Sequence, residues 1–156
     1  AIVLGHSLGG VLARALAVKY PARVRHVVTL GSPERIAWSA VHARYRPAIR
    51  GFQALWQAFN NRPAQCGTDQ CGCRFGEAVN SRFPHGVKLS SIYTRADEVV
   101  DWRACLTAEG DNHVVSGGHA SMAVNCEVYR VLAVILAAGT TVSRPAVSAA
   151  AAPPGL

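Results

Sequence analysis

Residues 1–10 read Ala-Ile-Val-Leu-Gly-His-Ser-Leu-Gly-Gly. The apolar run at the start is typical of a buried strand, and the glycine-rich turn after it carries a serine at its apex. Directly after this turn, apolar residues recur at helical spacing, at Val11, Leu12, Ala15, Leu16 and Val18. The stretch therefore predicts a strand, a sharp turn at Ser7 and a helix over residues 8–19.

The Gly5-x-Ser7-x-Gly9 pattern is typical of a nucleophile elbow, in which a strained turn lifts a serine hydroxyl clear of the sheet. Such a turn leaves no room for side chains on both flanks of the serine, which explains Gly5 and Gly9. The following helix offers free N–H groups to a developing oxyanion, beginning with that of Leu8. The alternative, a turn that binds phosphate or nothing, is weakened because the dinucleotide pattern Gly-x-Gly-x-x-Gly is absent.

Length and composition predict one domain with a sizeable core, since the chain has 156 residues and half of them are apolar. The net charge of +7 comes almost wholly from arginine, because only Lys19 and Lys88 are lysines. The arginines are scattered, and the loose group at Arg44, Arg46 and Arg50 is too small for a nucleic-acid stripe. We therefore expect no nucleic-acid partner, and at most a transient contact with an anionic or lipid interface.

The cysteines are odd in number, so at least one thiol stays outside any internal disulfide: Cys66, Cys71, Cys73, Cys105 and Cys126. The first three favour a loop disulfide from Cys66 to Cys71 or Cys73. A metal site would need a fourth ligand, for which His85 is the candidate, and we expect no metal. Cys105 and Cys126 offer a second bridge. These bridges mildly favour a secreted or extracytoplasmic protein, and the compartment stays open.

Beyond the first helix the pattern alternates between strands and helical segments. Apolar runs predict further strands, at 24–30, 87–93 and 113–116. His26, inside the first of them, is expected to be a packed or edge histidine. A last helix is predicted to begin at an Asn125 cap, to be buried because it is apolar nearly all round, and to end at Gly139. Residues 140–156 are predicted to be a disordered tail.

A long insertion, about residues 34–86, separates two of the predicted strands. It is predicted to hold helices over 36–45 and 49–60, with Pro47 breaking between them. The second helix carries an apolar stripe at i, i+3, i+4 and i+7: Phe52, Leu55, Trp56 and Phe59. This stripe either packs onto the main body or forms a lid over an apolar site, and both interpretations stay open. As a lid, its four residues are the candidate substrate contacts.

A serine nucleophile needs a base, and the base needs an orienting carboxylate. Asp97 and His119 each follow a predicted strand, in the chain order Ser, Asp, His. Parallel strands bring their C-terminal ends to one edge of a sheet, so Ser7, Asp97 and His119 are predicted to meet there.

Other titratable residues compete for these roles. Asp101 is the rival of Asp97, because it lies in the same loop after a strand, and Glu98 is a weaker candidate. His113 ranks below His119 because it begins its predicted strand rather than following it. His6 lies inside the turn, where a packing or hydrogen-bonding role is expected.

A resemblance to a known family rests on Gly-His-Ser-Leu-Gly-Gly (5–10), Thr-Leu-Gly-Ser-Pro (29–33), Ile-Tyr-Thr-Arg-Ala-Asp-Glu-Val-Val-Asp-Trp (92–102) and Gly-Gly-His-Ala-Ser-Met (117–122). Over residues 1–138 the chain resembles the C-terminal half of a serine α/β hydrolase of the esterase/lipase kind. The last two segments resemble the Asp and His segments of actinobacterial lipase-like hydrolases. The resemblance implies an α/β-hydrolase fold, with a partial parallel sheet that begins at the elbow strand, and it maps the triad aspartate to Asp97.

The chain departs from that family in two ways. Triacylglycerol lipases often continue Gly-Ser-Pro with His-x-Gly, and Glu34-Arg35-Ile36 stands here instead, which counts against true lipase activity. The family also has strands and helices before the elbow, and one of their loops supplies a second oxyanion N–H. We expect that N-terminal half to be missing from the catalytic domain at 1–139, and this piece alone to be marginally folded.

Together these observations predict a carboxylic ester hydrolase that acts on an apolar acyl ester without a cofactor. Ser7 would attack the ester, and the Leu8 N–H would hold the oxyanion. His119 would act as base and then acid, oriented by Asp97. Three alternatives stay open: an acyltransferase on the same triad, a peptidase or amidase, and an inactive binding module.

Overall fold

The computed structural model is a parallel sheet flanked by helices, and it describes residues 1–63, 68 and 71–140. Its strands are β1 (Ile2–His6), β2 (His26–Leu30), β3 (Lys88–Thr94) and β4 (Asp111–Val115). Its α-helices are α1 (Leu8–Lys19), α2 (Arg46–Phe59), α3 (Arg74–Asn80) and α4 (Cys126–Thr140). The predicted tail from residue 141 onward and Cys66 lie outside the described residues.

Within the described residues, the sheet has the strand order β1-β2-β3-β4, and every neighbouring pair is parallel. All residues of β2 and nearly all of β3 are buried, as is typical of strands covered on both faces. The predicted α/β class with a parallel sheet is confirmed. Because the strands run in one direction, the loops that follow His6, Leu30, Thr94 and Val115 gather at one edge of the sheet.

The core lies on both faces of this sheet, because successive strand residues point to opposite sides. On one face, Val27 of β2 packs with Ala13 and Ala17 of α1. On the other face, the neighbouring Val28 belongs to a cluster with Leu132 of α4. The helices are therefore held mainly by burial of apolar surface, which contributes about 1.5–3 kcal/mol for a fully buried aliphatic side chain.

Most predicted elements are confirmed, with shifted ends. The helix over 8–19 is found as predicted, and the strand predicted over 24–30 begins at His26. The Asn125 cap of α4 is also found, since its side-chain oxygen accepts a hydrogen bond from the Glu127 N–H at 2.8 Å. The prediction that this helix is buried all round is wrong, because Val134 and other apolar residues on one side are exposed. The helix also runs past Gly139, which was predicted to end it.

The insertion differs most from its prediction. Residues 36–45 hold short 3-10 turns at Trp38–Ala40 and Ala43–Tyr45 rather than a helix. Pro47 lies in the first turn of α2 and does not separate two helices, because the first turn is where a missing N–H costs nothing. Helix α3 was not predicted. It is short and contains a glycine, and it depends on packing against α1 more than on its own propensity.

The predicted bridge between Cys105 and Cys126 is wrong. Cys105 is a buried free thiol packed with Tyr93 and Val100, whereas Cys126 is an exposed free thiol at the start of α4. Burial raises the pKa of the Cys105 thiol to about 12. The predicted loop disulfide rests on Cys66, outside the described residues.

The sulfurs of Cys71 and Cys73 lie 2.8 Å apart. In the part of the chain that the structure describes, no three histidine, cysteine or acidic side chains cluster as metal ligands would.

Candidate active site

Ser7 occupies a strained turn between β1 and α1. Its φ of 54° and ψ of −125° place a residue with a side chain in a backbone region that costs roughly 1–3 kcal/mol. The turn is tied to the neighbouring strand, because the Ser7 N–H donates to the Leu30 carbonyl at 2.8 Å. An outlier held in this way is a reason to suspect function at the residue.

Glycines give this turn its close packing. A Cβ on Gly5 would lie 2.2 Å from the Gly9 carbonyl oxygen, and a Cβ on Gly10 would lie 2.1 Å from Ser32 Oγ. A Cβ on Gly9 would meet nothing within 4 Å. The predicted steric role of Gly9 is therefore wrong, and Gly10 holds that role because α1 passes directly over Ser32.

The structure pairs Asp97 with His119. Asp97 Oδ2 lies 2.7 Å from His119 Nδ1, and the two side chains belong to residues only 5% and 6% exposed. The other carboxylate oxygen accepts hydrogen bonds from the Val99 N–H at 2.9 Å and the Val100 N–H at 2.7 Å. With both oxygens engaged, the carboxylate is fixed in one orientation toward the imidazole.

These contacts keep the carboxylate ionised. Burial by itself would raise the pKa of Asp97, but the hydrogen bonds from His119 and from the Val100 and Val99 N–H groups outweigh it. The pKa of Asp97 therefore lies below its ordinary value. At neutral pH a negative charge therefore faces His119 Nδ1.

Glu98 anchors the loop that carries His119. Its Oε2 accepts a hydrogen bond from the His119 backbone N–H at 2.9 Å, which lowers the pKa of this carboxyl group. Thr94 Oγ1 donates to the Gly117 carbonyl at 2.6 Å and fixes the loop from the β3 side. Sequence reasoning considered Glu98 only as a weaker triad acid; its position next to Asp97 was the one signal of this supporting role.

The Ser7 turn meets the Asp97–His119 pair through His6. His6 Nε2 lies 3.0 Å from the His119 carbonyl oxygen, and the two rings contact each other with centroids 4.8 Å apart. The predicted hydrogen-bonding role of His6 is therefore found. Among the described residues, one hydrogen bond joins Asp97 to His119, and no hydrogen bond joins the Ser7 hydroxyl to either of them.

Gly31, just after β2, passes directly beside the pair. Its φ is 51°, and a Cβ on it would lie 2.3 Å from Met122 Cε and 3.1 Å from Asp97 Oδ2. Sequence reasoning gave this glycine no role in the site beyond ending a strand. The resemblance segment at 29–33 was the available signal, since it contains Gly31.

Asp101 and His26 have partners outside the Asp97–His119 pair. Asp101 Oδ1 accepts a hydrogen bond from the Arg103 N–H at 3.0 Å and caps a 3-10 turn. His113 lies inside β4 rather than at its start. His26 is buried in β2 with its Nε2 2.9 Å from Ser90 Oγ, as expected for a packed histidine. Burial lowers the pKa of His26.

The start of the insertion is hydrogen-bonded to the Asp97 loop, and this contact was not predicted. His42 Nε2 lies 3.2 Å from the Asp97 carbonyl oxygen, and the Arg44 guanidinium donates to the Glu98 carbonyl at 2.9 Å. A cavity of about 540 Å³ opens beside these residues and reaches Trp102. The apolar stripe of α2 lies on none of its walls.

That stripe is exposed: Phe52 72%, Leu55 57%, Trp56 44% and Phe59 81%. The residue of α2 that is buried is Gln57, on the opposite side of the helix. The interpretation of the stripe as ordinary core packing is therefore wrong. The lid interpretation stays a prediction.

The sequence profile of the family described as alpha/beta hydrolase fold matches residues 1–105, which is more than half of the chain. The chain belongs to this family. The predicted resemblance to α/β hydrolases is confirmed, and α/β hydrolases among solved structures share the fold. The actinobacterial type stays a prediction.

Three of these structures illustrate the likeness. A meta-cleavage product hydrolase from Pseudomonas fluorescens IP01 is 19% identical with a TM-score of 0.58. The match covers 90% of this chain and 65% of that hydrolase's chain. The N-acyl homoserine lactonase AidH is 16% identical with a TM-score of 0.63, and the match covers 93% of this chain and 66% of the lactonase chain. A structure from a study of carboxylesterases of the thaumarchaeon Nitrososphaera gargenis is 16% identical with a TM-score of 0.56, covering 90% and 65%. At these identities the likeness shows the fold alone.

A curated relative matches a shorter stretch. The human 1-acylglycerol-3-phosphate O-acyltransferase ABHD5 is 54% identical over 37 residues, which is 22% of this chain and 11% of that protein. The chain thus spans about two thirds of the length of these solved hydrolases, and its match spans about a ninth of the length of this acyltransferase.

Proposed function

We propose that the α/β hydrolase described above acts on carboxylic esters and forms an acyl-enzyme on Ser7. The observation that carries the proposal is the buried Asp97–His119 pair, 2.7 Å apart, at the sheet edge where Ser7 is held at a φ of 54°. A strained serine next to a carboxylate–imidazole pair is the arrangement that serine nucleophiles need. Solved structures that share this fold include an N-acyl homoserine lactonase and one from a study of carboxylesterases, so the fold accommodates ester chemistry.

The proposed reaction has two steps. His119 Nε2 takes the Ser7 proton while Ser7 Oγ attacks the ester carbonyl, and the resulting imidazolium returns the proton to the leaving alcohol. Water, deprotonated by His119, then releases the acid and restores Ser7. Asp97 holds the imidazole through Nδ1 and stabilises its positive charge in both steps.

The Leu8 N–H is the proposed oxyanion donor. Leu8 begins α1, so its N–H has no acceptor one turn earlier in the helix and lies at the positive end of the helix dipole. A single donor of this kind is worth about 10²–10³ in rate. The chain's own residues supply this donor, the nucleophile and the base, and the chemistry calls for no cofactor.

The exposed stripe of α2 supports an apolar acyl part in the substrate. Phe52, Leu55, Trp56 and Phe59 present aromatic and aliphatic surface on a helix of the insertion, which suits a lid that covers an acyl chain. Insertions in such positions commonly close over a bound substrate.

The test of the nucleophile is labelling with a fluorophosphonate probe, located by peptide mass mapping. We expect the label on Ser7, and we expect Ser7→Ala to remove it. Ser39→Ala is the matched control, because Ser39 is an exposed serine in a 3-10 turn of the insertion. A chain that is folded by circular dichroism and takes no label would overturn the proposal.

Acyl transfer is a second candidate, favoured by the 37-residue likeness to the acyltransferase ABHD5. It would use the same acyl-enzyme, with an alcohol in place of water in the second step. Mass analysis of products formed with and without an added glycerol-type acceptor separates the two. A new ester that forms in preference to free acid would establish transfer.

A further inference from the structure

Two cysteines at the start of α3 bring their sulfur atoms together. Cys71 Sγ lies 2.8 Å from Cys73 Sγ, and Gly72 alone separates the two residues in the sequence. A disulfide joins sulfur atoms about 2 Å apart, so a small rotation of the two side chains brings them to bonding distance. The proposed ester chemistry does not use this pair.

The two thiols differ in exposure. Cys71 is 7% exposed, whereas Cys73 lies at the surface. Thiol–disulfide exchange requires access to the attacking sulfur, and burial keeps a cysteine inert toward reagents in solution. An oxidant from solution therefore meets Cys73 first, and Cys71 is placed to react with Cys73 rather than with the oxidant.

Helix α3 holds both cysteines in place. Its first turn passes so close to Cys71 that a Cβ on Gly76 would lie 2.0 Å from the Cys71 carbonyl oxygen. The Gly76 N–H donates a hydrogen bond to Cys73 Sγ at 3.5 Å. Further along the helix, Val79 packs in an apolar cluster with residues of α1. The pair is therefore built onto a helix that is itself anchored on the main body.

We propose that Cys71 and Cys73 form a redox pair that converts reversibly between two thiols and an internal disulfide. The oxidant is a small disulfide of the glutathione class. The Cys73 thiolate attacks it, which forms a mixed disulfide and releases one thiol. The Cys71 thiolate then attacks Cys73 Sγ and releases the second thiol. The two cysteines lose two protons and two electrons in all, and the oxidant is reduced to two thiols.

The disulfide predicted from the sequence, from Cys66 to one of these cysteines, is the competing arrangement, and one digestion distinguishes the two. Cleavage before Asp69 and after Arg74 releases the peptide Asp-Gln-Cys-Gly-Cys-Arg (69–74), which contains both members of the pair but not Cys66. An internal disulfide makes this peptide lighter by two hydrogen atoms. A bridge to Cys66 would instead join it to a second peptide.

The test is incubation of the folded protein with mixtures of oxidised and reduced glutathione in the presence of a metal chelator. Acid quenching, alkylation and mass mapping then report the state of each cysteine. We expect peptide 69–74 to pass from the doubly alkylated form to the internal disulfide as oxidised glutathione increases, and to return when a dithiol reductant is added. Cys66→Ser should leave this conversion unchanged. So should Cys126→Ser, the matched control, because Cys126 is an exposed thiol at the start of another helix.

Two variants in the Cys66→Ser background test the order of the steps. With Cys71→Ser added, Cys73 should stop at the mixed disulfide and keep one glutathione. With Cys73→Ser added, the buried Cys71 should take up glutathione about tenfold more slowly or less. Ser7→Ala should change none of these results, so they are independent of the proposed ester chemistry. Circular dichroism reports the fold of each variant.

Three outcomes would overturn the proposal. The first is a peptide 69–74 that stays doubly alkylated at glutathione ratios that load the exposed Cys126 with glutathione. The second is a bridge from this peptide to Cys66, or loss of the conversion in Cys66→Ser. The third is equal uptake of glutathione by Cys71 and Cys73 in the two single-thiol variants, since the exposed sulfur would then not react first.

Discussion

The loop after β3 and helix α2 both belong to segments that connect strands of one sheet, yet they are held by opposite means. In the loop, Asp97 is buried, and each of its carboxylate oxygens has a hydrogen-bond partner. In α2, the apolar side chains are exposed, and the helix contacts mainly the 3-10 turn just before it. The polar groups of the loop are paired, whereas the helix presents exposed apolar side chains.

The difference teaches where function needs rigidity and where it needs a free surface. Hydrogen bonds that fix Asp97 and the His119 loop preorganise a reaction, because reorganisation then costs nothing at the moment of chemistry. An exposed apolar stripe contributes favourable free energy only when something covers it. Four substitutions test this contrast, from the largest expected effect to the smallest.

Asp97→Asn should have the largest effect. The amide cannot hold the imidazole in the tautomer that accepts the serine proton, and the charge opposite Nδ1 is lost. We expect ester turnover to fall by about 10³–10⁴ with the fold intact. Initial rates on a short aryl ester measure it. Asp101→Asn is the matched control and should leave the rate within about twofold, because Asp101 caps a different turn.

Gly5→Ala should destabilise the fold by about 2–3 kcal/mol. Its new methyl group would lie 2.2 Å from the Gly9 carbonyl oxygen, which is backbone and cannot rotate away. Urea unfolding followed by circular dichroism gives the free energy of unfolding. Gly9→Ala is the control, because the space there is open and alanine favours a helix. Equal destabilisation by both substitutions would contradict the described packing of the turn.

Glu98→Ala should lower turnover by about tenfold, because the His119 N–H loses its acceptor and the loop loosens. Glu98→Gln keeps an acceptor oxygen and should stay within about twofold of the wild type.

The two variants should also differ from the wild type in how much stability they lose at acidic pH. The pKa values of Asp97 and Glu98 lie below their ordinary values, so both carboxylates stabilise the fold above about pH 4.

That stabilisation is lost as the pH falls through the lowered pKa values. Unfolding at about pH 7 and at progressively lower pH should therefore show a smaller acid loss in Glu98→Gln than in the wild type. An identical acid profile would show that Glu98 is not linked to folding through its charge.

Phe59→Ser should have the smallest effect. The side chain is 81% exposed, so the free energy of unfolding should change by less than about 0.5 kcal/mol. Met122→Ala is the comparison, because Met122 is fully buried and its loss should cost about 2–5 kcal/mol. A large cost for Phe59→Ser would mean that the stripe packs against the protein in solution.

The sequence predicted the sheet and the neighbourhood of Asp97 and His119 well, for a physical reason. Strands such as His26–Leu30 are short runs rich in apolar and β-branched residues, and parallel pairing forces the residues after them to one edge. The choice of Asp97 over Asp101 rested on the family resemblance and on the position after the strand.

The insertion was predicted less well, because its structure depends on tertiary contacts. Periodicity located the stripe of α2 but could not say that Gln57 would face the protein. Proline rules placed a break at Pro47, yet the same residue starts a helix when its missing N–H falls in the first turn. Contacts across the sequence, such as Glu98 with the His119 N–H, have no local signature at all.

The central claim is that the Asp97–His119 pair activates Ser7, and the most direct test compares the rate of fluorophosphonate labelling in the wild type and in His119→Gln. Mass mapping confirms the labelled residue, and circular dichroism confirms that both proteins are folded. We predict rapid labelling of Ser7 in the wild type and a rate about a thousandfold lower in His119→Gln. Equal labelling rates in the two proteins would contradict the claim, because Ser7 would then react without the pair.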